Sequence, residues 1–153
     1  MSEAVFVSQE KFDSMTAERK AIKEEKIPAI AKRIEEAKQL GDLSENAEYH
    51  AARDEMAWAQ SRILELDHLL QNAEVVVSES GSSTIRIGTR FVARAKEKEK
   101  TFTIVGGQEA SPLEGKISNE SPLGSAFLGK KKGDTVTVQV PAGKMEYTIV
   151  DLL

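Results

Sequence analysis

The 153-residue chain contains no cysteine, which excludes disulfides and thiolate metal centres and is compatible with a reducing cytoplasm, the compartment expected for it. Aromatic residues make up only 5%, too few for one thick globular core. No uninterrupted apolar run approaches the roughly 20 residues that span a bilayer, so no membrane association is expected. The start, MSEAVFVSQEKF, has acids early and no basic stretch leading into an apolar one, so it does not read as a secretory signal. Glycine-rich phosphate loops and serine nucleophile elbows are both missing. His50 has no second His or Cys nearby and reads as structural or solvated rather than as a transition-metal ligand. Nothing in the chain reads as a self-contained active site.

What is present is charge, 30% of residues, with a formal net of -4. That balance argues against coating nucleic acid by bulk attraction. The charge is unevenly shared. Residues 1–76 hold 10 basic and 16 acidic residues, whereas residues 77–153 hold 11 and 9. An acidic half followed by a mildly basic half points to two modules with different partners.

The pattern is helical up to about Val77. The polar run Ser78-Glu79-Ser80-Gly81-Ser82-Ser83 then breaks it, and the remainder is strand-like. The expected division is therefore a helical domain over 1–77, a linker over 78–83 and a second domain over 84–153. Tyr49, Ala52, Met56, Ala59, Ile63, Leu66, Leu70 and Ala73 recur at alternating spacings of three and four, a heptad seam. A matching stripe precedes it in two pieces: Phe12, Met15, Arg19 and Ile22, then Ile27, Ile30, Ile34 and Ala37. The phase slips by one residue between them, beside Pro28, which predicts a kink or short break near residues 24–28.

Gly41 suits a helix end, and Asp42 and Ser44 suit the start of the next helix. Two seams joined by so short a connection fold back as an antiparallel coiled-coil hairpin. About 30 residues per arm gives a length of about 40–45 Å, with Gly41–Asn46 at the turn.

In the second half, Arg90–Ala95, Thr101–Val105, Thr135–Val140 and Met145–Val150 read as strands. A short helix is expected over Pro122–Leu128, with Ser121 as N-cap and Gly129 as stop. The expected fold class is α+β: an N-terminal antiparallel helical hairpin followed by a small antiparallel sheet with one short helix.

Asp42 and Glu45, three residues apart at the turn, have two readings. Asp-x-x-Glu at a helix start is the pattern of a capping box. Two carboxylates projecting from the end of a hairpin are also hard oxygen ligands suited to Mg²⁺, which binds through one or two carboxylates and keeps waters or phosphates in its other positions. Arg53 reads as a surface cation or as a phosphate contact, and Lys38 as a favourable helix C-terminal charge. Tyr49 and Trp58 read as packing residues. Lys130-Lys131-Lys132 reads as a solvated loop or an anion contact.

The segment AKQLGDLSENAEYHAA, residues 37–52, closely resembles the signature of the Gre transcription elongation factors. Thr103-Ile104-Val105-Gly106, Gly115-Lys116-Ile117-Ser118, Ser121-Pro122-Leu123-Gly124, Gly129-Lys130, Gly133-Asp134 and Pro141-Ala142-Gly143 follow in that family's order. The resemblance runs from about Phe12 to the end.

It implies a hairpin that enters the secondary channel of bacterial RNA polymerase, and an FKBP-like second domain that docks at the rim through Ser121, Pro122, Leu123 and Gly124. By the same resemblance, Asp42 and Glu45 are catalytic and share a Mg²⁺ with the polymerase. Arg53, Lys38 and Asn46 lie beside the nascent RNA 3′ end, and the factor is a monomer that stimulates cleavage of backtracked RNA without being an enzyme itself. The family commonly has arginine at Lys38 and aspartate at Ser111. The alternative reading is a non-catalytic channel regulator. A prolyl isomerase is disfavoured, because Phe91, Phe102, Phe127 and Tyr147 all read as core rather than as pocket lining. A purely structural coiled coil explains the seam but not the turn motif.

Overall fold

The computed structural model describes residues 3–77 and 83–153. The expected linker therefore lies outside the described residues except for Ser83. The chain divides into two units: Phe12–Asn72, and the segments Met1–Lys11 and Ala73–Leu153 taken together. This differs from a division after Val77. Val5–Val7 (β1) and Ala73–Val75 (β2) form a parallel pair, Val5 opposite Ala73 and Val7 opposite Val75, and so leave the helical unit. Ala73, expected on the seam, is a strand residue. Three-residue strands hold together through their partner's backbone rather than through a pattern of their own, so neither stood out in the sequence.

The helical unit contains α1 (Gln9–Ala21, from Phe12 on), α2 (Ile27–Lys38) and α3 (Ala47–Gln71). Between α1 and α2 the backbone makes one π-turn, Ile22–Lys26, in which the Ile27 N–H donates to the Ile22 carbonyl five residues back. A π-turn holds one residue more than an α-turn. It absorbs the one-residue slip between the two stripes, so the predicted break takes the form of a widened turn. Met15, Ile22, Ile30 and Ala37 are buried on this side of the hairpin, and Ala52, Ala59, Leu66 and Leu69 on α3. Each fully buried Ile or Leu contributes roughly 1.5–3 kcal/mol. The alanines at 37, 52 and 59 permit close approach of the helix backbones.

Charged side chains cross between the arms. Arg62 grips the Glu18 carboxylate with two bonds of 2.8 and 2.9 Å. Arg33 reaches Glu55 at 2.6 Å, and Arg19 pairs with Asp67. Arg19, expected on the apolar stripe, thus sits at its edge with a carboxylate partner. Partly exposed pairs of this kind contribute on the order of 1 kcal/mol or less each.

The other unit holds a five-stranded sheet in the order β5-β4-β3-β7-β6. Its strands are β3 (Arg90–Ala95), β4 (Lys98–Val105), β5 (Lys116–Ser118), β6 (Thr135–Val140) and β7 (Gly143–Leu152). The sheet is mixed rather than antiparallel, because β5 pairs in parallel with β4. β3 and β4 join through Lys96 and Glu97, both at positive φ (49° and 69°), the geometry of a tight two-residue hairpin turn. Helix α4 (Pro122–Phe127) starts at the expected cap, Ser121, and Gly129 follows it at φ +80°.

Phe91, Ile104, Phe127 and Ile149 are almost fully buried at the centre of the core. The Phe91 and Phe127 rings lie 4.8 Å apart and those of Phe127 and Tyr147 5.5 Å apart. The aromatics pack against one another, as a core requires. β1 crosses so close to Gly106 that a Cβ there would lie 1.6 Å from the Phe6 carbonyl oxygen. No helix among the described residues is long and apolar enough to cross a membrane.

Candidate functional site

The hairpin turn starts where α2 runs out. The Leu40 N–H closes the last turn onto the Ala37 carbonyl at 3.0 Å. Gly41 follows at φ +133°, a conformation that side chains disfavour. Asp42 is extended, and Leu43–Glu45 form a single 3₁₀ turn.

Asp42 caps that short turn. Its Oδ1 accepts from the Ser44 N–H at 3.0 Å and from the Ser44 hydroxyl at 2.9 Å. These two bonds, the backbone one first, hold the Asp42 carboxyl below its ordinary range, so it stays ionised. Both Asp42 and Glu45 are exposed. Among the described residues the Glu45 carboxylate has no hydrogen-bond or ion-pair partner, so the reciprocal half of a capping box does not form.

The N-cap of α3 is Asn46 rather than Asp42 or Ser44. Its Oδ1 accepts from the Tyr49 N–H at 3.1 Å, and its Nδ2 donates to the Ala37 carbonyl at 2.6 Å. One side chain thereby ties the end of α2 to the start of α3. Both ends of the Asn46 amide are occupied within the turn, and this residue shapes it. Capping by Asn46 leaves the acids out of α3's first turn and free of its amides. Ser44 and Asn46 were not singled out as supports of the acids in the sequence reading. The signal was present in their type, since Ser and Asn are the residues that bond turn backbone.

Arg53 is on the exposed face of α3, one turn beyond Tyr49. Its Nη1 donates to the Tyr49 hydroxyl at 3.2 Å, and its guanidinium lies 5.8 Å from that ring's centre. The contact steadies the cation on a half-buried aromatic. Lys38 is exposed as the last residue of α2, where a cation complements the helix end.

Exposed carboxylate oxygens, with Asp42 held ionised, are hard ligands of the type a hydrated Mg²⁺ ion takes. The described residues offer no group of three or more metal-ligating side chains. Asp42 and Glu45 are two such side chains and do not by themselves make such a group.

The second expected contact, residues 121–124, is a closed corner. The Ser121 hydroxyl donates to the Ser118 carbonyl at 2.7 Å and accepts from the Gly124 N–H at 3.0 Å. Gly124 is buried, and a Cβ on it would lie 1.9 Å from the Ser118 carbonyl oxygen. Leu123 packs against the core. Of the four, Pro122 alone is fully exposed.

Known proteins resemble this chain along most of its length. The family model described as "Transcription elongation factor, N-terminal" matches residues 5–75, and "Transcription elongation factor, GreA/GreB, C-term" matches residues 80–153. Transcription elongation factor GreA of Roseiflexus sp. (strain RS-1) is 48% identical over 126 residues, covering 80% of each chain. That of Bacillus subtilis (strain 168) is 40% identical over 156 residues, covering 95% of this chain and 99% of the relative. The crystal structure of GreA factor homolog 1 (Gfh1) of Thermus thermophilus aligns over 99% of both chains at 24% identity and a TM-score of 0.45. With both family models matched across nearly its whole length, the chain belongs to the GreA/GreB family of transcription elongation factors.

Proposed function

We propose that this elongation factor enters the secondary channel of bacterial RNA polymerase with the hairpin turn foremost and stimulates cleavage of backtracked nascent RNA. The observation that carries this reading is the pair of exposed carboxylates at the turn, with Asp42 kept ionised by Ser44 and Glu45 unpartnered. Neither residue is needed to cap α3, because Asn46 does that.

In the polymerase active site, Asp42 and Glu45 would complete the coordination of a Mg²⁺ ion shared with polymerase residues. Such an ion lowers the pKa of bound water and stabilises charge developing on a phosphodiester. The two carboxylates orient the attacking water and accept hydrogen bonds from it. Arg53 faces a phosphate of the displaced RNA 3′ segment, and Lys38 adds positive charge on the other arm. The water oxygen bonds to phosphorus as it gives up a proton, the internucleotide P–O bond breaks, the upstream 3′ oxygen takes up a proton, and the 3′ segment leaves carrying a 5′ phosphate. The exposed Pro122 and its neighbours contribute to docking at the channel rim. The factor acts as a monomer in the cytoplasm, and the polymerase remains the enzyme.

The test is a stalled, backtracked elongation complex with Mg²⁺, scored by shortening of the RNA from its 3′ end. Asp42→Asn and Glu45→Gln are expected to slow cleavage at least about tenfold, while polymerase binding and the unfolding midpoint stay nearly unchanged. A double variant that cleaves as fast as the unmodified protein overturns the reading. Binding without any shortening by the unmodified protein favours a channel regulator instead.

A further inference from the structure

The five-stranded sheet carries charge on both faces at its β3–β4 end, and the two faces treat it differently. On the outer face Arg94 sits opposite Glu99 and the two pair at 2.6 Å. On the core face Lys98 sits opposite Ala95, and Lys100 opposite Ala93. Directly opposed residues share a face. Ala93 is buried with Phe91 and Phe102, so the two lysines stand on the side of the sheet that elsewhere holds the core.

With Lys96 of the adjoining turn they rim a concavity of about 280 Å³ over Ala95, Met145 and Tyr147. No ion pair joins any of these three lysines to an acidic group among the described residues. The apolar alternation of β4 thus begins at Phe102, and the two same-face positions before it, Lys98 and Lys100, are cations set around a small apolar floor.

We infer that this groove binds an acidic peptide segment of a partner protein, with one apolar side chain on the floor and carboxylates on the lysines. Three features favour that occupant. The floor of Ala95, Met145 and Tyr147 is small and apolar and suits a single apolar side chain. Its cationic rim is complementary to clustered Asp and Glu. Nucleic acid fits less well, because single strands bind by stacking bases on free aromatic faces. Tyr147 is the only aromatic here, and its ring packs edge-on against Phe102 and Phe127. The inference concerns the sheet unit alone and does not depend on the chemistry of the hairpin turn.

The experiment titrates the isotope-labelled full-length protein with a decapeptide of Asp and Glu carrying one central Leu, and follows backbone amide resonances. The expected result is a set of shifts confined to residues 93–100 and 145–147, weakened by salt. The Asn/Gln version of the peptide is expected to give none. Lys98→Glu with Lys100→Glu should weaken binding about tenfold or more, while changing Lys130, Lys131 and Lys132 to Gln leaves it intact. Because Lys98 and Lys100 are exposed, the double variant keeps its fold, and its unfolding midpoint checks this. Shifts centred on Lys130–Lys132, no shifts at millimolar peptide, or tighter binding of a thymidine oligonucleotide of equal charge at the same groove would each overturn the assignment.

Discussion

The hairpin turn at residues 41–46 and the corner at residues 118–124 carry sequence motifs of the same kind, a small polar cap beside a glycine, yet the structure uses them in opposite ways. At the corner the polar groups are turned inward: Ser121 bonds both the Ser118 carbonyl and the Gly124 amide, and Gly124 is pressed against backbone. At the turn, Asn46 does the inward bonding, and Asp42 and Glu45 are left facing water. A motif of this kind therefore leaves its polar side chains either facing water or turned into the fold. What separates the two is whether another residue already satisfies the backbone.

The glycines put the contrast to its hardest test. Gly124→Ala is expected to destabilise the sheet unit by about 3 kcal/mol, because its Cβ meets backbone rather than a movable side chain. Gly41→Ala meets nothing within 4 Å and has only its φ of +133° against it, a cost of about 1 kcal/mol. Thermal unfolding of both variants checks the order, and equal losses would remove the distinction.

The caps give a smaller effect. Asn46→Ala and Ser121→Ala should each cost about 1 kcal/mol. Only Asn46→Ala should also reduce stimulated cleavage, since it releases the turn that presents the acids. Amide exchange at Tyr49 and Gly124 reads the loss of each cap directly.

The finest effect is on protonation. Asp42 should titrate below 3.8, its ordinary value, when followed by carboxyl resonance. Ser44→Ala should bring it part of the way back, because the backbone bond, the larger cause, remains. The sign follows from the lowered pKa: the stability that the charged carboxylate lends the turn is complete above the ordinary value and is lost as pH falls through the lowered one. A titration at or above 3.8 in the unmodified protein would contradict the Ser44 bonds.

Much of this arrangement was legible in the residues. The Ser121-Pro122 start of α4 and the strands Arg90–Ala95 and Thr135–Val140 appear at the expected positions, because alternation and capping are local properties. Ala52, Ala59 and Leu66 are buried as the heptad requires. The misses have a common cause in non-local pairing or unusual backbone. β1, β2 and β5 are three residues each and exist through partners far along the chain. Lys96 and Glu97 adopt positive φ without the glycine or asparagine that usually announces it. At the turn, the residues leave both a capping and a projecting reading of the acids open, and Asp42 and Ser44 suit the α3 cap as well as Asn46, which takes it.

The parallel pairing of β1 with β2 has a topological consequence. Parallel neighbours need a crossover between them, and here the whole of residues 8–72 is that crossover. The helical arm is thus an insert whose two ends leave adjacent strands, within about 10 Å of each other. Insertions with neighbouring ends are readily exchanged. The pairing of β1 with β2 therefore fixes both ends of the arm at once, whatever its length.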